Sequence, residues 1–436
     1  MPETRASDTV QIKPAGHISG ELLPPGDKSI SHRSVIFLSL ATGKARVKNF
    51  LFADDCLRTV AIMERLGAQI VREGDDLVIT GRGLHALMEP DDVLYCGNSG
   101  TTMRLMLGVL AGAGFFSVLF GDESLSRRPM GRVTEPLGRM GAIIHGREGG
   151  TYPPLAIIGA DLVGEEFDLA ISSAQVKSAL LFAGMRADGV TRVREPSPSR
   201  DHTERMMDYF DIGLSRENDG WLAIEAVDRF DTKDIEVASD LSSAAPFIVA
   251  TLIVPGSELI VRNVGLNPGR VGVLEVLEAM GGNITVENRR EVSGEMVGDL
   301  VVRSSELRGT VIDGNVIPRV IDEIPVLATA AAAAAGETRI TDAGELRVKE
   351  SDRITTTVGN LRALGIDAEE LPDGMVIPGG GKIDGGTIDS HSDHRIVLAG
   401  AVAGLVSKRG VTISNPSSVT ISYPEFFDHI KELSRT

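Results

Sequence analysis

Gly26-Asp-Lys-Ser-Ile-Ser-His-Arg33 opens a run, Ser34-Val-Ile-Phe-Leu-Ser-Leu-Ala41, that is mostly apolar and stops at Gly43. A polar cluster, about a dozen apolar-rich residues and a glycine are the start, body and end of a buried helix. The pattern recurs five times. Gly97-Asn-Ser-Gly-Thr-Thr102 leads to Gly112, Ser172-Ser-Ala-Gln175 to Gly184, and Ser239-Asp-Leu-Ser-Ser243 to Gly256. Ile321-Asp-Glu323 leads to Gly336 and His391-Ser-Asp-His-Arg395 to Gly404, so the closing glycines recur every 68 to 80 residues. Most of the unusual polar residues stand at these six starts. A helix start offers free N–H groups and the positive end of the dipole, which suits an anion. The pattern therefore points to a small, multiply negative substrate.

Between the starts runs a second repeat, an amphipathic helix that ends in Leu or Met followed by glycine and then a short strand. Its copies fall at Leu66-Gly67, Met140-Gly141, Met280-Gly281 and Leu364-Gly365; Met206–Gly213 is a degenerate copy and the last is cut off near Ile430. Each unit thus holds two helices and about four strands in roughly 70 residues, beyond the ~20–50-residue period of solenoids. Six small α/β units group as three plus three, which predicts two domains. The expected boundaries put residues 22–239 in the first domain and residues 1–21 with 240–436 in the second. Strand Thr9–Ile12 comes before the first unit.

Composition narrows the function. Forty-four basic against 61 acidic residues leave a net charge of −17, which argues against nucleic acid or an anionic membrane as partner. The longest uncharged runs, that of Leu105 to Phe120 among them, are shorter than the ~18–20 residues of a membrane helix, and the first residues carry acids rather than an apolar core. Two cysteines, Cys56 and Cys96, make neither a disulfide framework nor a zinc site and fit a reducing, cytoplasmic setting.

Against this acidic background the local basic clusters stand out. Lys28 and Arg33 flank a helix start whose expected cap is Ser29. Gly97 and Gly100 permit close backbone approach to a ligand, with Arg104 one turn further on. Arg127, Arg128 and Arg132 fall within six residues in a Pro- and Gly-flanked turn, and guanidinium groups grip carboxylate and phosphate in bidentate fashion. Ser172, Ser173 and Gln175 suit hydroxyl or phosphate oxygens, and Arg200 follows a loop. The second half supplies Asp322 and Glu323, then Arg347, Lys349, Glu350, Asp352 and Arg353 together. An alternating-charge surface explains that last cluster about as well as a site does. His391 and His394 have metal-ligand spacing without a third ligand group, so Arg395 fits the anion theme better.

Taken together, Pro-Gly-Asp-Lys-Ser-Ile-Ser-His-Arg33, Gly97-Asn-Ser-Gly-Thr-Thr-Met-Arg104, Ser-Ala-Gln-Val-Lys-Ser178 and Leu346-Arg-Val-Lys-Glu-Ser-Asp-Arg353 closely resemble the EPSP synthase family of enolpyruvyl transferases, over nearly the whole chain. The resemblance implies two α/β domains, each of three βαβαββ units, with the active site in the interdomain cleft. It implies transfer of the enolpyruvyl group of phosphoenolpyruvate to the 5-hydroxyl of shikimate 3-phosphate, a step of chorismate and aromatic amino acid biosynthesis. Lys28, Ser29, Arg33, Ser173, Gln175, Arg200, Asp322 and Lys349 match positions that hold shikimate 3-phosphate. Lys28, Gly100, Arg128, Gln175, Arg353 and Arg395 match those around phosphoenolpyruvate. Asp322 matches the acceptor of the hydroxyl proton and Glu350 the proton donor to the methylene carbon, with Lys28 the third catalytic candidate.

No metal or organic cofactor is implied, the two small-molecule substrates are the expected partners, and a cytoplasmic monomer is expected. Many members place a lysine two residues before the aromatic-Pro pair near the C-terminus; here Ile421 stands before Ser422-Tyr423-Pro424. The chain most resembles the subgroup whose glyphosate-tolerant forms carry alanine at the position of Gly100, so its own site is expected to admit glyphosate. Two rival readings are a UDP-N-acetylglucosamine enolpyruvyl transferase and a non-catalytic anion-binding protein of the same fold. The first typically carries a reactive cysteine, or occasionally an aspartate, in the loop equivalent to Asp122–Gly131, where this chain has no cysteine, and an asparagine where Ser29 here follows Lys28. The second does not explain Asp322 and Glu350, whose charge repels an anion.

Overall fold

In the computed structural model, which describes residues 8–380 and 382–435, the chain divides into two compact units. One comprises residues 26–238 with 291–295; the other comprises residues up to Pro25, Ser239–Arg290 and 296 onward. Each unit contains three small sheets.

The repeat is clearest between residues 94 and 158. Strand Leu94–Tyr95 runs through helix Gly100–Ala111 into a parallel partner, Phe116–Phe120; helix Gly131–Arg139 then leads to antiparallel strands Ile143–Gly146 and Tyr152–Ile158. A parallel pair needs a long crossover, and here that crossover is the buried helix. The same order holds for the sheets built on Glu166–Asp168 and Val311–Ile312. Three copies borrow strands, among them the one built on Glu258–Gly265, whose parallel partner is His17–Leu22. Ile235–Glu236, late in its unit, pairs in parallel with Thr42–Lys48, and Thr9–Ile12 lies antiparallel to Val411–Ser414 in the truncated last copy.

The six polar-started runs are six helices: Lys28–Leu40, Gly100–Ala111, Ala174–Gly184, Leu241–Ile253, Ile324–Ala333 and His394–Val406. Every residue is buried from Ile30 to Leu40, from Leu241 to Leu252 and from His394 to Leu405, the burial expected of helices that are apolar on all sides. Helix closeness depends on small residues. A β-carbon on Gly108 would stand 2.2 Å from the Ala179 carbonyl oxygen, so the Gly100–Ala111 and Ala174–Gly184 helices approach to backbone contact.

One expectation about helix ends changes. The closing glycine does not terminate every run: Gly184 is the last residue of its helix, but Gly404 lies inside a helix that continues to Val406. Positive φ falls at three of the closing glycines, Gly43, Gly256 and Gly336 (126°, 70° and 87°), and at all four Leu/Met-Gly copies: Gly67, Gly141, Gly281 and Gly365 have φ of 100°, 112°, 91° and 91°, and in the degenerate copy Asp211 takes that role at 56°. Side chains resist this region, which is why glycine recurs there. Among the described residues no helix is long and apolar enough to cross a membrane.

Candidate active site

In the unit of residues 26–238, three helix starts carry the predicted residues. Asp27, rather than Ser29, caps the first helix, its carboxylate accepting the Ile30 N–H at 2.9 Å; Ser29 sits half-buried in the first turn. The Lys28 ammonium donates to Asp55 at 3.1 Å and keeps partial exposure. Arg33 is 3% exposed; Nε donates to Thr203, Nη1 to the Ser29 carbonyl and Nη2 to Ser178, at 2.6, 3.0 and 2.8 Å. Burial pushes this guanidinium down to about 10, with Glu204 and Asp27 opposing the shift.

Around Gly100 the contacts form one cluster. Arg104 donates to the Gln175 amide oxygen at 2.7 Å and to the Pro129 carbonyl at 3.2 Å, while the Gln175 amide nitrogen donates to Thr101 at 2.9 Å. Arg128 donates to Asn98 at 2.7 Å. A β-carbon on Gly100 would stand 2.8 Å from Arg104 and 3.5 Å from Arg128. The arginine-rich turn thus divides by role: Arg128 is half-buried beside Gly100, whereas Arg127 is exposed and pairs with Glu123. Ser173 caps the third helix, and Arg200 lies half-buried just ahead of helix His202–Tyr209.

In the other unit the centre is Arg353, at 2% exposure. Asp393 receives its Nε at 2.8 Å and Nη2 at 3.2 Å; Glu350 receives Nη2 at 2.7 Å; and Asp322 lies 3.5 Å from Nη1. Burial works to lower this arginine's pKa, but the three carboxylates outweigh it and hold the guanidinium above its ordinary value. Lys349 stands 3.7 Å from Asp322. Arg395 lies 3.8 Å from Glu323 and donates to the Ser242 carbonyl at 3.4 Å. Asp322 and Glu350, the expected proton carriers, therefore share one buried cation.

The charge cluster at 347–353 divides in two. Arg347, Asp352 and Glu370 form an ion-pair network that closes the 3₁₀ turn ahead of helix Arg353–Ala363, which Asp352 caps; Lys349, Glu350 and Arg353 belong with Asp322. His391 is exposed and His394 buried. Sequence reading missed Asp55, Asp393 and Glu323 as partners of site cations. Asp393 had a usable signal, an aspartate just ahead of an apolar run. Asp55 had none, because helix Asp54–Arg65 reaches Lys28 only through the fold.

A sixfold α/β repeat in two units, with guanidinium and ammonium groups at helix starts and paired carboxylates beside one buried arginine, defines the enolpyruvyl transferase class of architecture. A solved enolpyruvyl transferase, NikO from Streptomyces tendae, has this fold at TM-score 0.79 and 16% identity, with 98% of each chain covered. Residues 12–430 match the family described as EPSP synthase (3-phosphoshikimate 1-carboxyvinyltransferase). The 3-phosphoshikimate 1-carboxyvinyltransferase of Geobacter sulfurreducens is 51% identical over 95% of this chain and 96% of its own. The EPSP synthase structure from Acinetobacter baumannii superposes at TM-score 0.88 with 41% identity, covering 98% of each chain. The chain belongs to the EPSP synthase family.

Proposed function

We propose that this enzyme transfers the enolpyruvyl group of phosphoenolpyruvate to the 5-hydroxyl of shikimate 3-phosphate, giving 5-enolpyruvylshikimate 3-phosphate and phosphate. The observation that carries the reading is the Asp322–Arg353–Glu350 arrangement: two carboxylates held on one buried guanidinium, with Lys349 beside the first. A protein that only bound anions would gain nothing from carboxylates there.

The chemistry assigns their work. Asp322 takes the proton from the 5-hydroxyl as that oxygen bonds to C2 of phosphoenolpyruvate, and Glu350 gives a proton to the methylene carbon. The resulting tetrahedral intermediate then loses phosphate from C2 and a proton from the new methyl group, restoring the double bond. Lys28, Arg128, Arg353 and Arg395 clamp the carboxylate and phosphate of phosphoenolpyruvate, with Gly100 and Gln175 against it, and Lys28 meets the charge on the leaving phosphate. Ser29, Arg33, Ser173, Gln175, Arg200 and Lys349 hold shikimate 3-phosphate. Residues of both units are needed by this reaction. The reading makes the protein a cytoplasmic monomer, supported by its acidic balance and by the burial of both cysteine thiols.

Phosphate release from phosphoenolpyruvate tests the proposal, measured with shikimate 3-phosphate, with UDP-N-acetylglucosamine and with neither. Release only with shikimate 3-phosphate is expected. Release only with the nucleotide sugar, or with neither acceptor, overturns it.

A further inference from the structure

Lys177 points its ammonium into the protein between two carboxylates, 2.7 Å from Glu195 and 2.7 Å from Glu204, with all three side chains at most 6% exposed. Burying three charges is expensive, and ion pairs of this kind rarely repay it as stability. Their connections give another reason for the arrangement. Glu195 also accepts the Ser173 N–H at 2.7 Å, the Ser199 hydroxyl at 2.8 Å and the Ser199 N–H at 3.3 Å. Alongside, Ser172 exchanges hydrogen bonds with Ser197, donating to its carbonyl at 2.6 Å and accepting its N–H at 3.1 Å.

One carboxylate thus ties the cap of helix Ala174–Gly184 to the loop that ends at Arg200. Lys177, two residues beyond Gln175 on that helix, carries the tie on to Glu204 of helix His202–Tyr209, just past Arg200. The segment bearing Ser173 and Gln175 and the segment bearing Arg200 are fastened on both sides of the arginine. Thr203 and Ser178, each bonded to Arg33, cross-link the same two helices at 2.6 Å.

We propose that Glu195 and Lys177 are positioning residues for shikimate 3-phosphate: their buried ion pair sets the spacing between the Ser173–Gln175 helix start and Arg200. This rests on the reading of Ser173, Gln175 and Arg200 as contacts of that substrate. Neither Glu195 nor Lys177 touches it. A rigid pair of segments meets the substrate's oxygens without ordering a loop on binding, so the effect falls on affinity for this substrate.

Glu195→Gln and Lys177→Met test the idea, by steady-state kinetics with each substrate varied and by calorimetric titration of shikimate 3-phosphate. Each variant is expected to raise KM and Kd for shikimate 3-phosphate about tenfold, the scale of one hydrogen bond to a charged group. KM for phosphoenolpyruvate and kcat are expected to stay within about threefold, because Gln175, which serves both substrates, keeps its own bonds to Arg104 and Thr101. Lys177→Arg, which keeps the charge, recovers part of the loss. An equal rise in both KM values, or no rise for shikimate 3-phosphate, overturns the proposal. Should either charge variant not fold, Ser199→Ala carries the test: it removes the hydroxyl's bond to Glu195 next to Arg200 and leaves every charge in place. An unchanged Kd in that variant overturns the proposal. Arg200→Ala and Ser173→Ala separate the two levels. If neither weakens shikimate 3-phosphate binding, the contact assignment has failed; if both do and the Glu195 and Lys177 variants do not, only the positioning role has failed.

Discussion

The Lys28 ammonium is held by the Asp55 carboxylate at 3.1 Å, with side-chain exposures of 20% and 10%. A lysine has four rotatable bonds and is a mobile point charge unless something fixes it. Asp55 does so from a different helix, Asp54–Arg65, and its own carbonyl accepts the Thr102 hydroxyl at 3.2 Å at the start of the Gly100 helix. Asp55 therefore relates the position of Lys28 to that of Gly100.

Asp55→Asn keeps the shape and the backbone bond but removes the charge. The expected result is a fall in kcat/KM of about 10- to 100-fold, the scale of a lost charge-assisted hydrogen bond. Thermal melting should show the variant folded. Unchanged kcat/KM would mean that Lys28 does not depend on this partner.

Asp393 is fully buried and takes two of the Arg353 nitrogens, the Ser351 hydroxyl at 3.0 Å and the Arg395 N–H at 2.9 Å. Asp393→Asn leaves a buried arginine short of its main counter-ion, and breaking such a pair costs about 3–5 kcal/mol. Urea unfolding should show a loss of that size, with a raised KM for phosphoenolpyruvate in the folded fraction. A loss below about 1 kcal/mol would show that Glu350 and Asp322 suffice to hold Arg353.

Glu350 is proposed to protonate the methylene carbon. Glu350→Gln should lower kcat about 10²- to 10⁴-fold, the usual contribution of a general acid. It should also abolish the entry of solvent deuterium into the methylene group of phosphoenolpyruvate in the presence of shikimate 3-phosphate. Exchange that persists at the parent rate would assign the proton to another residue.

The fold was readable because its signals are local. Apolar runs of about a dozen residues opened by Asp, Ser or Asn fix where the central helices stand, and Leu/Met-Gly pairs fix where the outer ones stop. The cap at Asp27 was misassigned to Ser29 because both types cap well and lie two residues apart. The candidate site cations stand out in the sequence as departures from an acidic background. Their counter-ions do not, since Asp55 meets Lys28 across 27 residues and Asp393 meets Arg353 across 40. Long-range pairing leaves no mark in spacing. The staple at Lys177 was hidden for the same reason, a lysine on an apolar helix whose two partners lie on later segments.

Gly100 is the position where a single methyl group should separate two ligands. A β-carbon there would come within 2.8 Å of the Arg104 guanidinium, a flexible end that can shift, but Arg104 also holds the Gln175 amide oxygen. Gly100→Ala should therefore weaken glyphosate, which is longer than phosphoenolpyruvate, more than it weakens the substrate. The inhibition constant is expected to rise at least about tenfold, with a several-fold rise in KM for phosphoenolpyruvate passed on through Arg104 and Gln175. Unchanged inhibition by glyphosate would refute the steric argument. Unchanged KM would show that Arg104 moves without disturbing Gln175.

His32 is fully buried inside the first helix, with Nδ1 2.7 Å from the Thr59 hydroxyl, which in turn contacts Thr102 at 2.8 Å. Burial, reinforced by Lys28 and Arg33, pushes its pKa well below 6.5 against the pull of Asp27. In the unfolded chain the same imidazole titrates near its ordinary value of ~6.5. Between those two values the unfolded state binds the extra proton, so acid favours unfolding. The contribution of His32 to stability is complete above pH ~6.5 and falls by about 1.4 kcal/mol for each pH unit below it, until the folded-state pKa is reached. His32→Gln removes that dependence while keeping a polar group near Thr59. Urea midpoints for parent and variant at about pH 7.5, 6 and 5 should therefore converge as the pH drops, the parent losing stability faster. A stability difference that stays constant over this range would show that the folded protein accommodates a charged His32.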